Sequence, residues 1–362
     1  MTMMMKILFI SGCDIHDSTY GGGIGTATRY HIFRKFGKLK FMLIKKHSNL
    51  KSLQSVVQKH FPPVLNRTIK NILREVKAGN YDAVIFDSSI YGDIIKAIKI
   101  NMPDTKIISL FQNTEFDYLD VRFGKRDSLK KRIYKILVKS AEYNTLKYGD
   151  TSIAYSKRDA QRIRELYHKA TNEIIPLSME DAYPGNDNGT DGKYCLLFGS
   201  MNTPNYEGFL WFVRNVSPRL NIPTVIAGKG YENYKDIFET GNVSDIGFVP
   251  NVEELYKNAR VVAIPIFHGS GMKIKTVEAL MYSKYVFATD EAWEGFCINT
   301  ENVGGRCNTA KEFIEKINDF IAKECLSANL ESRKIYLKKY SPEAVTQEYK
   351  RVIKRTICEN KI

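Results

Sequence analysis

Short runs of aliphatic and β-branched residues recur along the chain, at residues 6–11, 41–44, 83–87, 107–111, 151–155 and 173–176. A second series follows at 194–199, 223–228, 243–249, 260–265 and 285–289. Between these runs lie segments of helical length, among them 52–60, 90–100, 128–147, 206–216, 252–258 and 274–282. Unbroken apolar runs alternating with helices predict parallel strands covered on both faces, the doubly wound α/β arrangement. The two series are separated by the polar, glycine-rich residues 179–192, which read as a linker. The pattern therefore predicts two Rossmann-like domains, 1–178 and 193–342, with a last helix over 343–362 that has Pro342 at its start. Open parallel sheets bind ligands at the carboxyl ends of their strands, so two such domains facing each other would frame one central cleft.

Composition narrows the class without changing that picture. The chain has 362 residues, 43% of them apolar and 26% charged, which excludes a disordered or collagen-like protein. Its six cysteines (13, 195, 297, 307, 325 and 358) show no Cys-x-x-Cys or Cys/His spacing, so neither a disulfide framework nor a metal site is read. The apolar run 7–10 is too short for a leader, and no segment reaches about 20 consecutive apolar residues, so a cytoplasmic location is expected.

Charge does change the picture, because it is uneven. Up to position 175 there are 31 basic and 16 acidic residues; beyond it, 23 and 24. The first half thus asks for an anionic partner. The densest stretch holds Arg122, Lys125, Arg126, Lys130, Lys131, Arg132, Lys135 and Lys139 against Asp127, with Leu129, Ile133, Ile136 and Leu137 at helical spacing. Such a basic amphipathic helix reads either as an element that lies on an anionic membrane surface or as a solvated surface helix. Nucleic acid is disfavoured, since no aromatic and basic platform accompanies the charge.

Two glycine-bearing stretches carry candidate chemistry. After the first strand, Gly21, Gly22, Gly23, Ile24 and Gly25 lead toward Arg29 and a helix, a loop that suits an anion or serves a tight turn alone. Its spacing misses Gly-x-Gly-x-x-Gly, and no acid follows at the distance that would hold a ribose, so a nicotinamide enzyme is disfavoured. In the second half, the strand 260–265 runs into Gly269, Ser270, Gly271, Met272, Lys273, Ile274, Lys275 and, further on, Glu278. Exposed N–H groups, a helix amino end and two lysines favour a diphosphate. Glu278 is placed to accept hydrogen bonds from ribose hydroxyls; the simpler reading is a helical ion pair between Lys275 and Glu278.

In this order and spacing the chain resembles the retaining nucleotide-sugar glycosyltransferases of the GT-B type, family 4 and its relatives. The likeness rests on Gly199, Ser200, Met201, Pro204 and Asn205; on Ala227, Gly228, Lys229 and Gly230; on Gly247, Phe248, Val249 and Pro250; and on the stretch from Gly269 through Glu278 to Glu294 and Gly295. It implies a nucleoside diphosphate sugar in the second domain, a saccharide acceptor in the first, and no cofactor beyond that donor. It also implies a last helix that crosses back to the first domain. By this resemblance Lys273 or Lys275 holds the diphosphate, and Glu278 the ribose, these three being the candidate catalytic residues. Gly199, Ser200, Asn205, Lys229, Phe248, Gly269, Ser270, Gly271 and Glu294 line the donor, while Gly22, Gly23, Gly25, Gln112 and Asn113 face the phosphates or acceptor. Two positions depart from the family pattern: Ser270 stands where a glutamate is usual, and Gln112 where a histidine is common. The reading is a retaining transferase acting on a lipid-linked acceptor at the inner membrane face, in capsule or O-antigen assembly. The alternatives are an epimerase of the same fold and a non-catalytic relative.

Overall fold

A computed structural model describes residues 4–16, 21–124, 127–185, 192–231, 238, 241–323 and 328–358. The chain forms two compact units, Met1–Leu177 with Val345–Ile362, and Ser178–Ala344. Of the expected linker, residues 186–191 lie outside the described residues, and Met179 to Gly185 and Gly192 belong to the second unit, as does Ser178, which the sequence reading places in the first.

The first unit runs β1 (Met5–Ser11), α1 (Gly21–Arg34), β2 (Gly37–Leu43), α2 (Asn49–Val57), α3 (Asn66–Gly79), β3 (Ala83–Phe86), α4 (Gly92–Asn101), β4 (Ile107–Phe111), α5 (Glu115–Phe123), α6 (Leu129–Tyr148), β5 (Thr151–Ala154), α7 (Lys157–Tyr167) and β6 (Glu173–Ile174). Its strands pair in parallel in the order β2-β1-β3-β4-β5-β6. Side chains alternate across β1, so Ile7 and Phe9 join one apolar cluster with Ile32 and Phe33 of α1. Leu8 and Ile10 join another, with Ile72 and Val76 of α3 and Ile94 and Ile98 of α4. Both faces are dry, which is why the run 7–10 shows no polar alternation.

The second unit runs β7 (Tyr194–Phe198), α8 (Thr203–Asn215), β8 (Thr224–Ala227), β9 (Val243–Asp245), α9 (Val252–Asn258), β10 (Ala259–Ile264), α10 (Ile274–Met281), β11 (Val286–Ala288), β12 (Gly304–Arg306), α11 (Ala310–Ala322) and α12 (Leu330–Ile335). These strands are also all parallel, ordered β12-β11-β10-β7-β8-β9. The last helix, α13 (Pro342–Cys358), begins in this unit, and from Val345 onward it completes the first. There Val345, Tyr349, Val352 and Ile353 are buried, and the Tyr349 ring meets Phe33 edge-on at 5.2 Å.

Several elements differ from the sequence reading, among them β9, which ends at Asp245 although its run continues to residue 249. β2 begins at Gly37 rather than residue 41, because Lys38 and Lys40 alternate with Leu39 and Phe41 on an edge strand. β12 carries two glycines and an arginine, with no apolar run to announce it. The glycines at 21–25 are not a loop but the opening turns of α1. That helix is fixed from its far side, since Thr26 and Arg29 are tied into the sheet by Asp87.

Candidate functional site

At the carboxyl end of β10 the chain passes Ile266, Phe267 and His268 and turns through Gly269, Ser270 and Gly271 into α10. Gly271 has φ of +65°, the left-handed region that a side chain disfavours. Lys273 immediately precedes the helix and Lys275 lies in its first turn, where no acidic residue stands. Positive charge therefore gathers at the amino end of the helix, whose dipole has the same sign there.

The two lysines are not equivalent. Lys273 Nζ donates to the Gly271 carbonyl at 2.7 Å and pairs with Glu291 Oε1 at 2.6 Å, so it clamps the turn to the loop after β11. Half-buried Lys275 instead donates to a neutral acceptor, Asn205 Oδ1, at 2.6 Å, and sits 5.2 Å from the centre of the Phe209 ring. Burial pushes its ammonium down to about 7; Glu278 opposes that shift and Lys273 adds to it. Lys275 reaches this position because residue 199 has no side chain. A Cβ there would stand 2.5 Å from Lys275 Nζ and 2.8 Å from Asn205 Nδ2, and the backbone has φ of +152°. The carboxyl end of β7 is thus shaped around the ammonium.

Glu278 follows on the same helix, 6% exposed, and accepts a hydrogen bond from Tyr256 OH at 3.0 Å. Tyr256 is held in turn by Tyr282, stacked at 4.5 Å. Burial raises the Glu278 carboxyl to about 7, against the Tyr256 bond and Lys275. Thr276 Oγ1 donates to the Ala292 carbonyl at 3.0 Å, tying α10 to the loop that carries Glu291 and half-buried Glu294.

The other expected donor residues ring the same sheet edge. The Ser200 carbonyl accepts from Asn205 Nδ2, and the Asn205 N–H donates to Asn202 Oδ1 at 3.0 Å, so the start of α8 is fixed from both sides. Lys229 is exposed after β8, with its carbonyl accepting from the Met201 N–H. Phe248 is half-exposed after β9, and Gly269 and Ser270 are half-buried. Gly199, Asn205 and Lys275 are in direct contact; Lys273 is engaged with Glu291, a partner that the residue pattern did not single out.

In the first unit, Gly22, Gly23 and Gly25 lie in α1, and Gln112 and Asn113 follow β4. What organises them is Asp87, at the end of β3. Its carboxylate accepts from Ser11 Oγ at 2.9 Å, Thr26 Oγ1 at 2.6 Å and Arg29 Nε at 2.5 Å, and its carbonyl accepts from Gln112 Nε2 at 2.6 Å. Burial works against the Arg29 charge, but Asp87, with Tyr155 and Tyr349, outweighs it and the guanidinium is held above its ordinary value. Asn113 Oδ1 and Thr114 Oγ1 are buried without a hydrogen-bond partner. Next to them Glu142 accepts from the N–H groups of Glu115 and Phe116 and from Ser89 and Tyr167. Glu115 is pushed up to about 8 by burial and by Glu142. Of these anchors, Asp87 had one sequence signal: an acid closing an otherwise apolar strand. Tyr256 and Glu142 had none.

The basic stretch lies on α5 and α6, and most of its described cations already have partners. Lys131 and Lys135 pair with Asp120, at 2.9 and 2.6 Å, and Arg132 pairs with Asp127. Arg122, Lys130 and Lys139 lie over the rings of Phe123, Tyr134 and Phe116. Lys125 and Arg126 lie outside the described residues.

Comparison with known proteins bears on the second unit most directly. Residues 192–323 match the family model described as "Glycosyl transferases group 1". A Klebsiella pneumoniae protein, described as an uncharacterized 44.6 kDa protein in the cps region, is 24% identical over 243 residues. The match spans 62% of this chain and 61% of that protein's length. Among solved structures, Anabaena HepE in complex with UDP and glucose aligns at 12% identity with a TM-score of 0.65, covering 97% of this chain and 99% of that one. Sucrose-phosphate synthase from Thermosynechococcus elongatus aligns at 11% and 0.76, covering 98% and 100%. The lipopolysaccharide outer core galactosyltransferase WaaB aligns at 14% and 0.63, covering 96% and 99%. At these identities the likeness establishes the fold, which is that of the GT-B glycosyltransferases.

Proposed function

From a GT-B chain whose second unit carries a group 1 glycosyltransferase domain, we propose a retaining transferase that moves a sugar from a nucleoside diphosphate donor to a saccharide acceptor. The acceptor is lipid-linked, as in capsule or O-antigen assembly. The observation that carries the donor reading is Lys275. Its ammonium is half-buried at a helix amino end, against a glycine backbone and a neutral amide. A charge so placed is best completed by an anion, and a diphosphate supplies one. Three residues further on, Glu278 accepts from the ribose hydroxyls. When the sugar leaves, negative charge grows on the β-phosphate; the turn at 269–271 and Lys275 stabilise that charge more than the ground state, which is where rate is gained. In the first unit, Asn113 Oδ1, buried and unpartnered, accepts from a sugar or acceptor hydroxyl.

The neighbouring HepE was solved with UDP and the Klebsiella relative belongs to a cps region, which makes uridine donors the first to test. Ser270 in place of the usual carboxylate favours one competing reading, a non-catalytic relative that binds nucleotide only. The deciding experiment compares UDP, GDP, ADP and dTDP and their sugars by thermal shift, then follows sugar release with saccharide acceptors. Binding with turnover supports the transferase, and binding without it the non-catalytic relative. Lys275→Ala should lower kcat/KM by about 10²-fold or more with the fold intact. A variant as active as the parent removes Lys275 from the mechanism.

A further inference from the structure

Helix α2 (Asn49–Val57) shows an apolar stripe to solvent. Leu50, Leu53 and Val57 are 77%, 60% and 74% exposed, and they fall at i, i+3 and i+7, on one side of the helix. Its other side is anchored. Ser55 is buried, and Val56 packs on the cluster formed by Phe61, Leu119, Tyr134 and Val138. Just beyond the helix, His60 Nδ1 meets Asp93 at 2.7 Å and Gln58 Oε1 accepts from the Asn66 N–H. The stripe is therefore held outward by a fixed inner face. Residues 45–60 contain Lys45, Lys46, Lys51 and Lys59 and no carboxylate; all four lysines are exposed. α6 enters the same cluster through Tyr134 and Val138, and shows Leu129 and Ile136 to solvent at 75% and 70%.

We propose that α2 docks the protein on an anionic bilayer, with Leu50, Leu53 and Val57 entering the headgroup and acyl boundary and the flanking lysines meeting lipid phosphates. Charge selects this occupant: an apolar stripe alone suits many partners, whereas a stripe bordered by lysines with no acid in the segment is complementary to an anionic lipid surface. This assignment moves the membrane contact away from the cations of α6, which are largely matched by Asp120 and Asp127. α2 follows β2 at the carboxyl edge of its sheet, where the Ile44 N–H donates to the Ser11 carbonyl at 2.7 Å. A helix seated there brings lipid-borne substrates to the edge at which such sheets bind ligands. That last consequence rests on the proposed acceptor; the docking itself does not. α2 is 9 residues long, far short of the roughly 20 that a spanning helix needs, so the proposed contact is interfacial.

The test is flotation of the full chain with phosphatidylcholine vesicles and with vesicles carrying 30% phosphatidylglycerol. Binding is expected only to the anionic vesicles, and 0.5 M salt should weaken it. The variant Leu50→Ser/Leu53→Ser/Val57→Ser should lose at least about tenfold in affinity. Lys45→Gln/Lys51→Gln/Lys59→Gln should lose roughly a hundredfold at low salt. Every substituted side chain is exposed, and both variants should keep the parent's melting temperature and its shift with nucleotide. Absence of vesicle binding by the parent, or equal binding by the apolar variant, overturns the proposal. So does a dimer in light scattering that the apolar variant dissolves while vesicle binding persists. Failure of nucleotide binding in the parent would instead count against the transferase reading and leave the docking result standing.

Discussion

Lys275 and Glu278 sit three residues apart, and burial moves both ionisations toward neutrality from opposite sides, each to about 7. A diphosphate needs the protonated lysine, so affinity should fall as pH rises above about 7, by up to tenfold per unit. Ribose hydroxyls need the carboxylate, so affinity should also fall as pH drops below about 7. Nucleotide affinity followed by calorimetry from pH 5.5 to 8.5 should therefore peak near neutrality. Lys275→Gln should flatten the alkaline limb and Glu278→Gln the acidic one; a monotonic profile in the parent would exclude the pair. Gly199 and Asn205 enter only through the family resemblance, whereas residue types and spacing single out Lys273, Lys275 and Glu278. They could not separate Lys275 from Lys273, because the difference lies in Glu291, 18 residues further on, which reaches Lys273 only in the folded chain. Nor does any local pattern mark Tyr256, whose hydroxyl meets Glu278 across 22 residues.

At the level of elements, the strands legible in the sequence are those buried on both faces, whose apolar runs are unbroken. β2 extends beyond its apolar run and β12 has no such run, because an edge strand alternates with lysine and a strand of two glycines carries no apolar signal. The opening of α1 is hidden for a related reason: glycine-rich sequence argues against helix locally, while the anchor that overrides it, Asp87, lies 58 residues from Arg29. That anchor makes a prediction. Arg29 and Asp87 are 2% and 1% exposed, so Asp87→Asn leaves a buried guanidinium without its counter-charge. Urea unfolding of the first unit should show a loss of about 3–5 kcal/mol. Adding Arg29→Met should restore part of it; a loss below about 1 kcal/mol would mean that the network does not hold the helix.

At the scale of the whole molecule, the first unit is closed by residues remote from the rest of it. Val345, Tyr349, Val352 and Ile353 are each at most 2% exposed in the cluster with Phe9 and Phe33. Burial of such side chains contributes about 1.5–3 kcal/mol each, together comparable to the net stability of an ordinary domain, about 5–15 kcal/mol. A chain ending at Ala344 should lose the calorimetric transition of the first unit while residues 178–344 still unfold cooperatively and still bind nucleotide. Retention of both transitions would show that the helix is dispensable. The same arrangement sets a schedule during translation. The ribosome makes Phe9 and Phe33 early, but the segment that shields them emerges only after all of Ser178–Ala344 has been read. The nascent amino-terminal half must therefore wait with an uncovered greasy patch, the kind of surface that invites aggregation, while the unit made later is the first able to finish.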